Sequence, residues 1–376
     1  MVGAGVLGAS AAYHLARAGA QVSVIDPQME GRATAAGAGI ICPWVSGADD
    51  AALYQLYTAG ARYYADLVPA LAAIGEDDLG FRRTGALVVS ANAAELAFIE
   101  NLLGERQAAT PEMGTVNRLT PPQARALFPP LHAKLGAVHI AGGARVDGRR
   151  LAAALLRGAQ HHGATVRDGA ATLRLSGGQV QVVLTGEHLE ADQVILTAGV
   201  WAPDLLRPLG IDLPIQPARG QIVHLRLSGQ DTRDWPVVFP LSGHYLLAFD
   251  DQRVVVGATR EDAGFACQVT AAGLAEVLTQ ALAVAPGLAS AEVIETRVGL
   301  RPVGPGRPLL GALAGVPGLL IGNGLGAAGL TIGPLAGRLL ADLALGHAPV
   351  LDVAPYDAAT ALPLPPSRQR SARGGG

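Results

Sequence analysis

Three glycines near the start of the chain have the spacing of a pyrophosphate-binding turn. Gly3, Gly5 and Gly8 form G-x-G-x-x-G, in which a tight turn brings backbone N–H groups close to phosphate oxygens. The pattern alone is weak evidence, because the chain has 49 glycines among 376 residues. Asp26 strengthens it, since an acid about 20 residues beyond the glycines can bind a ribose diol and repels a 2′-phosphate. A plain strand–helix–strand unit without a ligand is the alternative.

A helix and a strand must position these residues, and the sequence predicts both. Apolar residues recur at helical spacing after the glycine turn, at Leu7, Ala11, Leu15 and Ala18. Gly19 is a stop signal for that helix. The stretch "QVSVID" then predicts a short strand that ends at Asp26.

Only Met1 and Val2 precede the glycine turn. The central strand of a parallel sheet should carry several apolar residues at this place. We therefore expect the natural start to lie a few residues upstream, or the chain to be shortened. A longer form is then expected to bind its cofactor more tightly and to melt at a higher temperature.

Composition predicts a globular, two-domain protein in a reducing compartment. Half of the residues are apolar and 16% are charged, which favours a large buried interior. The net charge of −3 argues against a nucleic-acid partner. Two cysteines are too few for a disulfide framework, the histidines show no metal-ligand spacing, and no signal peptide or good membrane span is visible. A cytoplasmic location is expected, with attachment at the inner membrane possible for a dehydrogenase.

The order of predicted elements indicates an α/β protein with two discontinuous domains. Ranges 1–42, 144–216 and 299–360 predict a Rossmann-like domain with a parallel sheet and an antiparallel meander. Ranges 43–143 and 217–298 predict an α+β domain with a mostly antiparallel sheet. Asp147 is the expected N-cap of a helix that stops at Gly163. The residues 361–376 predict a disordered tail.

Several spaced blocks resemble the D-amino-acid oxidase–like family of FAD-dependent oxidoreductases, which includes glycine oxidase, sarcosine oxidase and D-amino-acid dehydrogenase. The blocks, which span nearly the whole chain, are "GAGVLGASAAYHLARAGAQVSVID", "ATAAGAG", "RRTGALVV", "VILTAGVWAPDLL", "PARGQIVHL", "VVVGAT", "GLRPVGPGRPLLG" and "GNGLGAAGLTIGP". The resemblance implies FAD, with the flavin ring between the two domains and the substrate above one face.

The resemblance also implies which residues hold FAD. These are Gly3, Gly5, Val6, Leu7, Gly8, Asp26, Thr34, Ala35, Gly37, Gly39, Val166, Gly199, Gly326, Gly329, Leu330 and Thr331. In the last block a glycine turn runs into a helix whose N-terminus can stabilise negative charge on a reduced flavin. Tight packing of that helix on the sheet is the alternative reason for its glycines. Some relatives attach FAD through a cysteine where this chain has Leu300, so noncovalent FAD is expected here.

Three residues are predicted to act on the substrate. Arg301 occupies the place where the family has an arginine that binds the substrate carboxylate, and a guanidinium suits that task because it donates two parallel hydrogen bonds. Tyr245 matches a tyrosine that lines the pocket in glycine oxidase. Arg260 replaces an apolar pocket residue of glycine oxidase, and a second cation there would favour an acidic or polar substrate.

Each of these assignments has a structural alternative. Arg301 could be paired with Glu295, Tyr245 could be a core aromatic, and Arg260 could be a surface partner of Glu261 or Asp262. The last glycine-rich block also has Ala327 where glycine oxidase has an arginine. The pocket is therefore not that of glycine oxidase.

The sequence thus predicts an FAD-dependent oxidoreductase that removes a hydride from the α-carbon of a small amino acid or secondary amine, of D configuration or N-methylated. Water then hydrolyses the resulting imine, and oxygen or a quinone reoxidises the flavin. An NAD-dependent dehydrogenase and a flavin-binding subunit without catalysis are the alternatives.

Overall fold

The computed structural model describes residues 1–47, 50–304 and 306–362. Within these ranges the α-helices are α1 (Val6–Arg17), α2 (Ala33–Ala36), α3 (Ala51–Ala72), α4 (Ala93–Gln107), α5 (Pro121–Leu127), α6 (Gly148–His161), α7 (Ala202–Leu206), α8 (Ala271–Val284), α9 (Gly329–Ala344) and α10 (Ala358–Ala361). Single 3-10 turns at Gly199–Trp201 and Gly326–Ala328 lead into α7 and α9.

The strands of the same ranges are β1 (Ser23–Asp26), β2 (Ile40–Ile41), β3 (Arg82–Arg83), β4 (Ala86–Ser90), β5 (Val116–Leu119), β6 (Gly136–Ile140), β7 (Ala144–Arg145), β8 (Thr165–Asp168), β9 (Ala171–Ser176), β10 (Gln179–Leu184), β11 (Glu187–Leu189), β12 (Val194–Leu196), β13 (Gln216–Arg226), β14 (Val237–Pro240), β15 (Tyr245–Ala248), β16 (Arg253–Gly257), β17 (Glu292–Val303), β18 (Leu309–Ala312) and β19 (Leu319–Asn323).

Val2 joins two groups of strands into one sheet, which we call the first sheet. It forms parallel bridges with Ile25 of β1 and with Leu196 of β12. β1 pairs in parallel with β8, β12 pairs in parallel with β19, and β18 is antiparallel to β19. The order is therefore β8, β1, Val2, β12, β19, β18. The glycine turn follows directly from the central position of this sheet.

The second sheet has the order β17, β13, β16, β15, β14, β4, β6, β5. Its neighbours are antiparallel except for β14 and β4, which run in parallel. Helix α8 buries Val277, Ala281 and Val284 against the apolar side chains of this sheet. The predicted α/β class, with a parallel sheet, a β9–β10–β11 meander and a mostly antiparallel second sheet, is confirmed.

Local signals predicted the elements near the glycine turn correctly. Asp147 caps α6 by accepting hydrogen bonds from the backbone N–H groups of Arg149 and Arg150. Gly19 and Gly163 follow α1 and α6 with φ of 89° and 95°, a conformation that favours glycine. The sequence did not predict β17, β5, β6 or the short helix α2.

The predicted division into domains stays a prediction, and the strands cross two of its boundaries. The boundary at 298/299 falls inside β17, and the boundary at 216/217 falls at the first residue of β13. The predicted disordered tail, 361–376, lies outside the described residues except for its first two. Of these two, Ala361 is the last residue of α10.

Candidate active site

A cavity of about 300 Å³ opens where the strands of the first sheet end. Its walls include the glycine turn after Val2, Asp26 at the end of β1, Thr197 after β12, and Asn323 at the end of β19. Ligands of open α/β sheets bind outside the carboxyl ends of the strands, where the connections diverge. The cavity has that position.

Gly3 makes the turn below the cavity possible. Its φ is 103°, and a Cβ at this position would lie 2.6 Å from the carbonyl oxygen of Thr197. Gly5 is the N-cap of α1, whose first turn has no acidic residue. The partial positive charge of the helix N-terminus is therefore available to an anion in the cavity.

Asp26 lies at the other side of the turn with its carboxylate fixed by the backbone. Oδ2 accepts a hydrogen bond of 2.6 Å from the Ala4 N–H, and Oδ1 accepts one of 2.6 Å from the Gln28 N–H. Each carboxylate oxygen has a second lone pair. Asp26 can therefore accept hydrogen bonds from a diol while its orientation is held.

The predicted cofactor residues fall into two groups. Those that line the cavity are Gly3, Gly5, Val6, Leu7, Asp26, Thr34, Gly199, Gly326, Gly329 and Leu330. Those that do not line it are Gly8, Ala35, Gly37, Gly39, Val166 and Thr331.

The second group has packing contacts instead. A Cβ at Gly8 would lie 2.1 Å from the carbonyl oxygen of Gly3, so glycine lets α1 approach the turn. A Cβ at Gly39 would lie 1.8 Å from the carbonyl oxygen of Val146. The Thr331 hydroxyl donates to the carbonyl of Ile40 at 3.1 Å. Val166 pairs with Val24 across β8 and β1 and is partly exposed.

Sequence reasoning missed several residues of the cavity wall. These include Arg32, Ala170, Ala171, Trp201 and Asn323. Arg32 has a visible signal, since it directly precedes the "ATAAGAG" block, and its Nη1 lies 3.8 Å from Asp26 Oδ1. Trp201 lies inside the "VILTAGVWAPDLL" block. The two alanines carry no sequence signal, because only the fold brings the start of β9 to the cavity.

Arg301 lies on β17 between two residues of the cavity wall. Leu300 and Pro302 line the cavity, whereas Arg301 does not, since successive side chains of a strand point to opposite faces. Its guanidinium lies over Gly220 of β13, where an added Cβ would be 2.3 Å from Nη2. Nη1 donates to the carbonyl oxygens of Thr259 at 3.2 Å and Arg219 at 3.4 Å.

Arg301 forms no ion pair with any residue that the structure describes. The alternative partner, Glu295, instead binds Arg297 at 2.7 Å and Arg149 at 3.0 Å. Burial lowers the pKa of Arg301, and the nearby Tyr245 partly offsets this effect. The result is a half-buried cation whose hydrogen-bond partners among the described residues are neutral, namely two backbone carbonyls and the Tyr245 hydroxyl.

Tyr245 and Arg260 lie beside this guanidinium. Burial raises the pKa of the Tyr245 hydroxyl, and the positive charges of Arg301 and Arg260 oppose that rise. Arg260 also lowers the pKa of Arg301, so the two cations are close enough to repel. Arg260 is exposed and pairs with neither Glu261 nor Asp262 within the described ranges. Ala327 is exposed in the turn before α9.

No group of three or more histidine, cysteine, aspartate or glutamate side chains could hold a metal ion among residues 1–47, 50–304 and 306–362. In the same part of the chain, every helix is too short or too polar to cross a membrane. Neither Cys42 nor Cys267 lines the cavity. Noncovalent attachment of FAD stays a prediction.

The cavity fits a dinucleotide with a pyrophosphate and a ribose. The glycine turn and the N-terminus of α1 suit the phosphates, and Asp26 suits the ribose diol. No atom lies within 4 Å of a Cβ added at Gly199 or Gly326, so the facing loops leave space for a bulky group. Ten of the sixteen predicted cofactor residues therefore lie around one cavity, and their role in holding FAD stays a prediction.

Comparisons with known proteins identify the family of the chain. The family model of FAD dependent oxidoreductases (DAO) matches residues 1–343. YurR, an uncharacterized oxidoreductase of Bacillus subtilis, is 49% identical over 366 residues, which are 96% of this chain and 98% of that protein. Glycine oxidase of Pseudomonas aeruginosa is 31% identical over 368 residues, or 95% of this chain and 97% of that protein.

The fold also has a similar solved structure. The crystal structure of iminodiacetate oxidase from Chelativorans sp. BNC1 superposes with a TM-score of 0.93 at 53% identity and covers 95% of this chain and 97% of that one. The matches support an FAD enzyme over both predicted alternatives, an NAD-dependent dehydrogenase and a subunit without catalysis. The chain belongs to the DAO family of FAD-dependent oxidoreductases, and its cofactor is FAD.

Proposed function

We propose that the enzyme oxidises a small secondary amine that carries two carboxylates, with Arg301 binding one carboxylate and Arg260 the other. The observation that carries the proposal is the pair of neighbouring cations, of which Arg301 is half-buried and has only neutral hydrogen-bond partners among the described residues. A buried charge without a partner is costly, and a ligand of opposite charge removes the cost. A substrate carboxylate would be that ligand.

Arg301 has the donors to orient such a group. Nη1 is occupied by the carbonyls of Thr259 and Arg219. Nε and Nη2 remain to donate, and together they form one edge of the planar guanidinium. A carboxylate on that edge accepts two parallel hydrogen bonds, which fix both its position and its plane. The α-carbon attached to it is then held in one orientation.

Arg260 selects the class of substrate. An exposed guanidinium close to Arg301 attracts a second negative charge at the far end of the same molecule. Iminodiacetate has one carboxylate on each side of a secondary amine, and the similar Chelativorans enzyme is an iminodiacetate oxidase. We infer that iminodiacetate or a close N-carboxymethyl amine is the substrate, which falls within the predicted class of small amino acids and secondary amines but is neither a D-amino acid nor an N-methyl amino acid.

Tyr245 contributes a neutral wall to the pocket. Because burial raises its pKa, the hydroxyl stays protonated at neutral pH and adds no negative charge to repel a carboxylate. A Cβ at Gly257 would lie 3.0 Å from this hydroxyl, so the ring fits closely against β16. Tyr245 thereby limits the size of the substrate beside Arg301.

The glycine turn, Asp26 and the facing loops would hold FAD, which when bound would accept the two electrons removed from the amine; the resulting imine would be hydrolysed by water to an aldehyde acid and an amine. The chain's own part is to bind and orient the substrate. Positioning of this kind supplies much of the rate, because the reacting groups need not find each other.

Anaerobic reduction of the flavin tests the proposal. Iminodiacetate and N-methylglycine share the amine and one carboxylate, and only iminodiacetate has the second carboxylate. We expect iminodiacetate to bleach the visible absorbance of the holoenzyme at lower concentration than N-methylglycine does. Glycine and the D-amino acids serve as primary amines in the same panel.

The Arg260→Met variant tests the binding of the second carboxylate, with N-methylglycine as the matched control substrate. We expect it to lose affinity for iminodiacetate by about fivefold, the effect of an exposed ion pair, and to keep its affinity for N-methylglycine. Equal loss for both substrates, or no loss for either, would contradict the role of Arg260. Bleaching by neither substrate would contradict the proposed substrate class.

A further inference from the structure

We propose that Gln221 is a positioning residue for the substrate carboxylate, because its hydrogen bonds hold the two backbone carbonyls that aim Arg301. The inference rests on the proposed role of Arg301. It concerns a network on the face of the second sheet opposite the Arg301 guanidinium.

The side-chain amide of Gln221 is 2% exposed and joins three segments of the chain. Nε2 donates to Glu261 Oε1 at 2.8 Å and to Thr270 Oγ1 at 2.9 Å. Oε1 accepts from the Thr270 N–H at 2.9 Å. Thr270 caps α8 through the Gly273 N–H. Gln221 therefore ties β13 to the segment after β16 and to the start of α8.

The same network fixes the two carbonyls that Arg301 uses. The Thr259 N–H donates to the Gln221 carbonyl at 3.2 Å, and the Gln221 N–H donates to Thr259 Oγ1 at 2.9 Å. Thr259 Oγ1 in turn donates to Glu261 Oε1 at 2.6 Å. Arg219 and Glu261 exchange backbone hydrogen bonds of 2.9 and 3.0 Å, and their side chains form an ion pair.

Strand geometry separates this network from the substrate side. Arg219 and Gln221 flank Gly220, over which the Arg301 guanidinium lies, so their side chains point to the opposite face. A Cβ at Gly273 would lie 2.2 Å from Gln221 Nε2, which places α8 directly against the amide. Gln221 thus acts through backbone carbonyls and makes no contact with the guanidinium edge that binds substrate.

The carboxylate of Glu261 is the charged group that the hydrogen bonds of this network stabilise. Burial would raise its pKa, but donors from Arg219, Thr259 and Gln221 outweigh burial and lower it, so the carboxylate is ionised. If Gln221 loses its amide, this carboxylate loses a donor and the Thr270 N–H loses its acceptor. The segment 259–261 then moves to satisfy them, and the carbonyls that accept from Arg301 move with it.

The test measures acetate binding to the oxidised holoenzyme through the change in flavin absorbance. Acetate has the carboxylate and cannot be oxidised as an amine, so its dissociation constant reports carboxylate binding separately from catalysis, and the Arg301→Met variant shows how much of that binding depends on Arg301. We expect Gln221→Leu to weaken acetate binding about tenfold and to raise KM for the amine substrate more than it lowers kcat. Val277→Ala, which removes a buried side chain from the same face of α8, is expected to lower Tm and to leave the acetate dissociation constant unchanged.

An exchange of polar groups gives a second readout. Gln221→Glu places two carboxylates against each other and is expected to weaken acetate binding, whereas Gln221→Glu combined with Glu261→Gln restores a donor–acceptor pair and most of the affinity. Unchanged acetate binding in Gln221→Leu, beside a large loss in Arg301→Met, would overturn this inference alone. Unchanged binding in Arg301→Met would overturn the proposed function and this inference together. Failure of the exchange to restore affinity would also overturn the inference.

Discussion

Arg297 and Arg301 lie four residues apart on the same face of β17, and their surroundings differ. Arg297 pairs with Glu295 at 2.7 Å and donates to the carbonyl of Ala35 at 3.4 Å. Arg301 bonds to backbone carbonyls, with no carboxylate partner among the described residues. One end of the strand has its own counter-ions, and the other end leaves a cation for a ligand.

Arg297 belongs to a larger network of paired charges that joins the second sheet to the N-terminus of α6. Arg253 of β16 binds Asp147, the N-cap of α6, at 3.1 Å and lies 4.1 Å from the ring centre of Phe249. His224 lies beside it, and burial together with Arg297 and Arg253 lowers its pKa to about 3, so it stays neutral. These groups hold the fold. The comparison shows that a buried arginine by itself does not indicate a binding site. An arginine with no carboxylate partner among the described residues does indicate one.

Arg301→Met should have the largest effect. Loss of one partner of a desolvated charge pair costs roughly 2–5 kcal/mol, so kcat/KM should fall by roughly 30- to 5,000-fold with unchanged FAD content. The kcat/KM of Arg301→Lys should lie between those of the wild type and Arg301→Met, because lysine keeps the charge and loses the paired donors. Steady-state kinetics checks this. A kcat/KM that stays near the wild-type value in Arg301→Met would show that Arg301, like Arg297, serves the fold and does not bind the substrate.

Gly220→Ala should follow with a smaller loss. The new Cβ would lie 2.3 Å from Arg301 Nη2, and the flexible guanidinium can shift away. A displacement of about 1 Å at a positioning group costs about 100-fold in rate. In an Arg301→Met background the same substitution should add little, since the displaced group is already gone. Additive losses in the double variant would show that Gly220 acts by another route.

Added salt should distinguish the role of Arg260 from that of Arg301, with a smaller effect than either of the two preceding substitutions. Arg260 is exposed, so added salt screens its attraction for the second carboxylate, and the screening length falls from about 20 Å at 0.02 M to about 4 Å at 0.5 M. KM for iminodiacetate should rise severalfold over that range. The rise should be flatter in Arg260→Met, and equal slopes would remove Arg260 from the site.

Glu295→Gln should change stability and leave acetate binding alone. The hydrogen bond from Arg297 lowers the pKa of Glu295 from 4.5 to about 2, against the effect of burial. A carboxylate with a lowered folded-state pKa stabilises the protein above pH 4.5 and loses that contribution as the pH falls towards 2. The variant should therefore unfold at lower urea concentration at pH 7, and the difference should narrow below pH 4.5. Weaker acetate binding in this variant would contradict the prediction and would show that both ends of β17 contribute to the binding site.

The sequence by itself determined those features whose residues lie close together along the chain. The turn at Gly3, the helix after it and Asp26 lie within 26 residues, and each has a conformational or chemical reason that does not depend on distant contacts. The place of Arg301 followed from resemblance. The same sources identified many residues of the cavity wall and missed Arg32 and Trp201, which lie inside or beside the quoted blocks.

The tertiary structure alone decided which arginines have partners. Arg253 and Asp147 are 106 residues apart, and Gln221 and Thr270 are 49 apart, so no spacing in the sequence relates them. Glu295 pairs with Arg297 rather than Arg301 because β17 is extended, which puts Glu295 two residues from Arg297 and six from Arg301, and the sequence did not predict this strand. Charge pairing acts over a few ångströms in space, and only the packed sheets set those distances.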